Sequence, residues 1–262
     1  MKRLIFQVAV GQLSKLYNFC VESTKAYAKS IGADYILLTE PKLRIKPNKE
    51  TSNRSKASWQ KYGGYLPIYE KENIFEYIEQ YDQLCVIDAD IWIRPGSPNV
   101  FDEVSTDYDF GAVFERELPL NKKYLRQVVD YSKAQLMPLK EFNWKWDNRG
   151  GEYFNSGMIV YNSSQMKKYL KNQSPEEFMK RKEFQPFIDG IGAWKWQTDQ
   201  IMLTYWAKKE NMKVKHIDWK YNSLFKAVEP AVTKQSHFIH FFMKDLLPKK
   251  GENIEELIKL IQ

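Results

Sequence analysis

The run Leu84-Cys85-Val86-Ile87-Asp88-Ala89-Asp90-Ile91-Trp92-Ile93 constrains this chain more than any other stretch. Four consecutive apolar residues, Leu84 to Ile87, read as a strand interior covered on both faces. Side chains alternate along a strand, so Asp88 and Asp90, taken as its continuation, point the same way about 7 Å apart. Two carboxylates so placed repel each other unless a cation lies between or near them. Open α/β sheets bind ligands beyond the carboxyl ends of their strands, where this pair falls. The pair therefore has two readings. It is half of a divalent-metal site that holds a phosphorylated donor, or it is a strand-end turn with Asp90 capping a loop and Asp88 paired with a lysine.

The flanking segments supply a sheet for that strand. Leu4 to Val10 reads as a first strand closed by Gly11. Leu13, Leu16, Cys20, Thr24, Tyr27 and Ile31 then recur at helical spacing, with Gly32 placed to end the helix. Tyr35 to Leu38 reads as a second strand, completing a βαβ opening that favours a parallel sheet. No Gly-x-Gly-x-x-Gly turn accompanies it, so a dinucleotide fingerprint is not supported. Pro41 to Lys56 is a basic loop carrying Lys42, Arg44, Lys46, Lys49, Arg54 and Lys56, either solvated or folded over an anion. Trp59 to Glu79 reads as helix in two pieces, interrupted by Gly63-Gly64 and Pro67. Asp109 to Phe114 and Tyr153 to Tyr161 are further strands, the latter carrying Asn155-Ser156-Gly157, where small residues admit a close approach. Polar helices over Ser163 to Asn172 and Pro175 to Phe184 follow, then a helix over Asp199 to Glu210 with Thr198 as its N-cap. Val214 to Ile217 and Phe238 to Phe242 are late strands, and Ile254 to Ile261 is a closing amphipathic helix.

Residues 118–150 stand apart from this alternation. Tyr124, Val128, Tyr131 and Leu136 suggest a short amphipathic helix, and the segment Phe142 to Arg149 alternates aromatic with polar residues. Trp144 and Trp146 suit either an acceptor-binding flap or a hairpin pinned to the core.

At 262 residues the chain reads as one domain, 1–262, with 118–150 as an acceptor-side insertion and 246–262 as a C-terminal helix. Its net charge of +7 suits an anionic partner, whether nucleotide-sugar, nucleic acid or acidic membrane. Aromatic residues make up 15%, which fits sites that stack sugars or bases and also fits a large core. Cys20 and Cys85 have no second thiol at ligand spacing and read as reduced core residues of a cytoplasmic protein, with peripheral membrane attachment left open. Lys2 and Arg3 precede an apolar run broken by Gln7, which reads as a strand rather than a signal peptide. No apolar stretch approaches the ~20 residues that span a bilayer.

Three further signals join the acidic pair. Asn155-Ser156-Gly157 sits in a strand, and Asp199-Gln200 starts a helix, where exposed N–H groups favour anions. His240 lies in the last strand between Ile239 and Phe241. Two carboxylates and an imidazole suit Mn²⁺, with Mg²⁺ the alternative.

In this order the motifs resemble GT-A nucleotide-sugar glycosyltransferases. They are nearest in pattern to family 8, the glycogenin and bacterial galactosyltransferase type, and to viral glycosyltransferases of that type. The residues that carry the resemblance are Val86 to Ile91, Tyr153 to Asn162, Thr198 to Leu203 and Ile239 to Phe241. It implies an α/β fold with a mixed, mostly parallel sheet flanked by helices, and metal-dependent transfer of a sugar from a nucleoside diphosphate, with UDP as the base. Retention of configuration and a glycan, lipid-linked or protein-linked acceptor follow by the same resemblance. Asp90 then resembles the principal metal ligand, Asp88 a residue shared by metal and ribose, and His240 the third protein ligand. Asn155 and Ser156 fall on the sugar side. Asp199 and Gln200 match the catalytic pair near the anomeric carbon. Ala9 and Val10 would lie by the base, and Lys61 or Lys244 would meet the diphosphate. Two departures mark a divergent branch: Lys244 follows His240 without the family's glycine or Pro-Trp, and Thr204 stands where an asparagine closes the Asp-Gln helix motif. An inverting route would need a carboxylate base, for which Asp147, Glu152 and Asp189 are candidates.

Three rivals remain. A haloacid-dehalogenase-like phosphatase carries its Asp-x-Asp near the N-terminus with Thr or Val two places on, where this chain has Trp92. A basic nucleic-acid-binding domain predicts steeply salt-dependent binding to DNA or RNA. A non-catalytic sugar-binding GT-A domain sits poorly with an intact Asp88, Asp90 and His240.

Overall fold

In the computed structural model, which describes residues 1–48 and 53–262, the first strand and the helix after it set the frame. Strand β1 (Arg3–Val8) buries Leu4, Ile5 and Phe6 almost completely. Helix α1 (Lys15–Ser30) starts where the Ser14 hydroxyl accepts the Tyr17 amide and lays Leu16, Cys20, Thr24 and Tyr27 inward. It stops at Ile31, where Gly32 takes the left-handed backbone that the turn into β2 (Asp34–Leu38) requires. The βαβ opening is therefore as the apolar spacing implies, and β1 pairs in parallel with β2.

Beyond β2 the basic loop is held from below. The Glu70 carboxylate, itself buried, accepts the backbone amides of Lys42, Leu43 and Arg44 at 2.8, 3.0 and 2.7 Å. Lys49 of this loop lies outside the described residues. Helix α2 (Asn53–Tyr62) and a 3-10 helix over Pro67–Tyr77 are the two helical pieces, separated at Gly63-Gly64.

Strand β3 (Gln83–Asp88) lies between β1, to which it is parallel, and the long buried strand β8 (Phe154–Asn162). The strand expected to carry both Asp88 and Asp90 at its end breaks after Asp88. Its second part, β4 (Ile91–Ile93), leaves the large sheet and joins a smaller one. The cause is a partner far along the chain: β11 (Phe238–His240) pairs antiparallel with β4, and the Phe241 amide donates to the Asp90 carbonyl at 2.9 Å. Local periodicity carries no trace of that pairing.

The remaining strands are β5 (Phe110–Phe114), a small hairpin of β6 (Trp146–Asp147) and β7 (Gly150–Gly151), β8 (Phe154–Asn162), β9 (Val214–His216) and β10 (Ser223–Leu224). The main sheet runs β2-β1-β3-β8-β5-β9, parallel except that β8 opposes both its neighbours. The small sheet runs β10-β11-β4. Helices α3 (Lys122–Leu136), α4 (Ser163–Leu170), α5 (Pro175–Met179), α6 (Gln185–Asp189), α7 (Asp199–Lys209), α8 (Pro230–Gln235) and α9 (Ile254–Ile261) complete the fold.

The aromatic share goes largely into the core. Phe75 meets Tyr161 and Phe178 edge-on at 5.2 and 5.3 Å, with Trp206 and Phe184 completing one layer against the sheet. Tyr27, Phe101, Tyr221 and Phe238 fill the opposite layer. Cys20 and Cys85 are buried free thiols. Helix α9 packs Leu257 and Ile261 near Leu16 and Cys20, as its spacing implies. Among the described residues no helix is long and apolar enough to cross a membrane.

Candidate active site

A cleft of about 1270 Å³ gathers most of the chemistry-bearing residues named from the sequence. Asp88 closes β3 and Asp90 precedes β4, so the acidic pair occupies the junction of the two sheets. Strand β11 sets His240 opposite Ile91, bringing its imidazole beside the pair. His240 Nε2 lies 3.3 Å from Asp90 Oδ1 and 3.8 Å from Asp88 Oδ2. One ligand atom from each of the three falls within 4.8 Å of the others. Two carboxylate oxygens and one imidazole nitrogen make a donor set suited to Mn²⁺ or Mg²⁺, whose bonds of roughly 2.1 Å put donors about 3–4 Å apart.

The two carboxylates differ in their surroundings. Burial raises the Asp88 carboxyl above the usual range, although Lys71 and His240 pull it down. Burial also pushes on Asp90, but the bond and charge of His240 and the charge of Lys244 outweigh it and bring the carboxyl to about 2. The same pairing raises His240 against its own burial. Lys244 Nζ lies 3.7 Å from Asp90 Oδ2 and donates to the Tyr17 hydroxyl.

Behind the cleft lining stands Lys71, a residue that sequence reasoning missed. Its Nζ is 2.8 Å from Asp88 Oδ1 and 2.6 Å from Asp199 Oδ2, and it donates to the Ser156 carbonyl at 3.1 Å. Burial lowers its affinity for the proton, but the two carboxylates raise it far more, so it stays charged. A signal was present: the triplet Glu70-Lys71-Glu72 lies between Ile68-Tyr69 and Ile74-Phe75, and charges inside an apolar stretch need partners. Glu72 beside it is pushed up to about 8 by burial and by the Asp199 charge.

Asp199 is the first residue of α7, and the Ser156 hydroxyl donates to its Oδ1 at 3.0 Å. Thr198 occupies the N-cap position but makes no side-chain cap. Its hydroxyl instead lies 3.4 Å from that of Tyr131, drawn there by the α3 helix packed alongside. Gln200 accepts the Ser156 amide at 3.4 Å and donates to Glu115 Oε1 at 3.3 Å. Glu115, also missed from sequence, takes the Tyr153 hydroxyl at 2.6 Å and the Asn155 amide at 2.8 Å. Burial raises its carboxyl against these bonds.

The cleft thus brings together Asp88, Asp90, His240, Lys244, Lys61, Asn155, Ser156, Asp199 and Gln200. It leaves others out. Ala9 packs against Val21 and Ala89, and neither it nor Val10 is among the residues lining the cleft. Trp144 and Trp146 are off it too. Trp144 is 8% exposed, donates to the Leu139 carbonyl and meets Phe142 edge-on, while Trp146 sits on the β6–β7 hairpin. The Trp144 ring enters the core, while the hairpin beside it leaves Trp146 exposed. Helix α3 supplies the corresponding wall, turning Tyr124, Gln127, Val128, Tyr131 and Ala134 to the cleft. Asp147, Glu152 and Asp189 are likewise outside the cleft lining. Glu152 pairs with Arg116, and Asp189 accepts the Asn48 amide at 2.5 Å.

No protein-family model matches this chain, and no curated protein does. Solved structures do. The galactosyltransferase LgtC, in complex with donor and acceptor sugar analogues, is 14% identical with a TM-score of 0.53, over 98% of this chain and 95% of that one. The bifunctional glycosyltransferase WbbM, in its apo form, is 15% identical with a TM-score of 0.56, over 99% of this chain and 49% of that one. An active-site variant of LgtC matches at 14% identity and a TM-score of 0.51. At such identities the likeness is one of fold: this chain has the GT-A architecture, a mixed, mostly parallel sheet flanked by helices.

Proposed function

We propose that this GT-A-fold protein is a metal-dependent glycosyltransferase. It moves a sugar from a nucleoside-diphosphate donor, UDP by resemblance, to a hydroxyl of a glycan or glycoconjugate. The observation that carries this reading is the meeting of Asp88, Asp90 and His240 at the sheet junction, in one cleft with Asp199 and Gln200. LgtC, of the same fold, is a galactosyltransferase that holds donor and acceptor sugar analogues, which supports a nucleotide-sugar and a glycan as the two partners.

Asp88, Asp90 and His240 would hold Mn²⁺ or Mg²⁺, which when bound neutralises charge on diphosphate oxygens as a Lewis acid. The chain's own residues do the rest. Lys244 and Lys61 line the same cleft and meet the negative charge that grows on the departing diphosphate. Lys71 holds the Asp88 and Asp199 carboxylates in place from behind, so neither has to reorganise as charge moves. Ser156 and Glu115 fix the Gln200 amide from both sides, leaving it aimed at the sugar. The acceptor lies along the α3 wall, where Tyr124, Tyr131 and Trp196 offer ring faces and Gln127 and Asp130 offer polar groups.

Retention of configuration is taken from the resemblance, with Asp130 on the acceptor wall as the carboxylate an inverting route would call on. Same-face attack, with the donor phosphate taking the acceptor's proton, needs no protein base. Glu115 in the cleft already spends its oxygens on Tyr153, Asn155 and Gln200. Calorimetry with UDP, GDP and dTDP, with and without Mn²⁺, tests the reading. Binding of one nucleotide that requires the metal is expected; tight salt-dependent binding to nucleic acid with no metal-dependent nucleotide binding would replace it with the nucleic-acid reading.

A further inference from the structure

His240 can serve as a ligand through Nε2 only if its other ring nitrogen carries the proton, and the buried polar groups behind it decide that point. His240 Nδ1 lies 3.0 Å from Asn222 Oδ1. Asn222 Nδ2 donates to Asn155 Oδ1 at 2.8 Å, and Asn155 Nδ2 donates to Glu115 Oε1 at 2.8 Å. An amide side chain can turn over and exchange its oxygen and nitrogen, so such a chain of bonds is ambiguous unless something fixes its direction.

Here the direction is fixed. The Gly157 backbone N–H, which can only donate, points at Asn155 Oδ1 at 2.9 Å, so that atom must be the oxygen. Asn155 then offers its nitrogen to Glu115, a carboxylate that accepts. Asn222 must give its nitrogen to Asn155 and is left with its oxygen toward His240. An oxygen there requires a proton on Nδ1. The lone pair of the neutral ring is then on Nε2, the atom facing Asp88 and Asp90. Gly157 serves twice, since a Cβ at this position would stand 2.6 Å from His240 Cε1 and 2.7 Å from Nδ1. Asn222 itself is wholly buried, so no water competes for its place.

We propose that Asn222 is a positioning residue whose orientation, set by the Gly157 amide through Asn155, locks His240 in the Nδ1–H tautomer and so creates the ligand atom of the site. The claim about the tautomer concerns the metal-free protein. The claim about affinity rests on the metal-binding reading under Proposed function, and the two fail separately.

The test is nitrogen-15 NMR of the three imidazoles in metal-free protein, at alkaline pH where the rings are neutral, with His216→Asn and His237→Asn supplying assignments. His240 is expected to show a protonated Nδ1 and a bare Nε2, and a protonated Nε2 in the wild type would overturn the proposal. Asn222→Leu removes the acceptor and should release the ring into a tautomer mixture, with Mn²⁺ affinity in the presence of UDP falling about 10–100-fold. Asn222→Asp keeps an acceptor toward Nδ1 and should hold the tautomer, although its second oxygen meets Asn155 Oδ1 where the amide nitrogen donated. A ring whose tautomer does not respond to Asn222→Leu sinks the positioning role. If Asn222→Leu fails to fold, the wild-type and Asn222→Asp spectra decide. Should the tautomer behave as stated while no variant, wild type included, binds Mn²⁺, the metal reading fails and the positioning of His240 stands.

Discussion

The acidic cluster holds its charges at different distances on its two sides, one behind the cleft lining and one along it. Behind the lining, Lys71 touches Asp199 and Asp88 at 2.6 and 2.8 Å. Along the cleft lining, the imidazole and Lys244 approach the acidic pair only to between 3.3 and 3.8 Å. The side behind the lining is built to be complete in itself, since a buried charge without a close partner is costly. The looser spacing along the lining suits groups that a further cation draws together. One region is thus spent on holding the site's shape, and the other is kept for a ligand.

Substitutions on the two sides should therefore fail in different ways. The largest effect is expected from Lys71→Met, which strands Asp88 and Asp199 in a buried place. Breaking a buried pair from one side costs about 3–5 kcal/mol, to be read from urea unfolding at neutral pH. A loss well under 1 kcal/mol would show that the side behind the lining is not the structural half. Asp90→Asn should reverse the pattern, reducing Mn²⁺-dependent UDP binding more than about 100-fold in calorimetry, beyond what loss of an outer partner costs. Its effect on stability is smaller. The folded carboxyl lies near 2, below its ordinary 3.8, so it stabilises above about pH 4 and that contribution is lost as pH falls toward 2. The difference corresponds to about 2 kcal/mol at neutral pH.

Glu72 sharpens the comparison, because behind the lining even a carboxyl with no cation of its own is buried. Its folded value of about 8 exceeds the ordinary 4.5, so the folded state keeps a proton that the unfolded chain gives up. Stability then falls as pH rises from about 4.5 to 8. Glu72→Gln removes that dependence. Its gain in melting temperature over wild type should be small at pH 5, widen up to pH 8 and then level off, and a pH-independent gain would contradict the buried-proton account. The smallest effect is expected from Trp146→Ala. Its side chain is 42% exposed and outside the cleft lining, so stability should stay within about 0.5 kcal/mol and transfer to acceptor should be unchanged. A large drop in acceptor turnover would restore the hairpin as an acceptor flap.

The amino-acid sequence by itself determined the elements whose burial is written in local spacing. The opening βαβ unit, the buried strand up to Asp88, the helix begun by Asp199 and the closing α9 helix all follow from apolar periodicity and from residues suited to helix ends. It also supplied, through the order of its motifs, the residues that share the cleft. Tertiary structure alone decided the rest. The strand after Asp88 breaks because β11, some 150 residues on, offers β4 its hydrogen bonds. Lys71 becomes the hub of two carboxylates because β3 and the start of α7 converge on it. Tyr131 and not Trp144 faces the cleft because Trp144 finds a core behind it. Asn222, inconspicuous between Tyr221 and Ser223, acquires its part from a glycine amide 65 positions earlier. The physical reason is the same in each case. An apolar residue needs only to be buried, which its own neighbours along the chain can signal, whereas a buried polar group needs one particular partner, and the fold decides which distant residue that is.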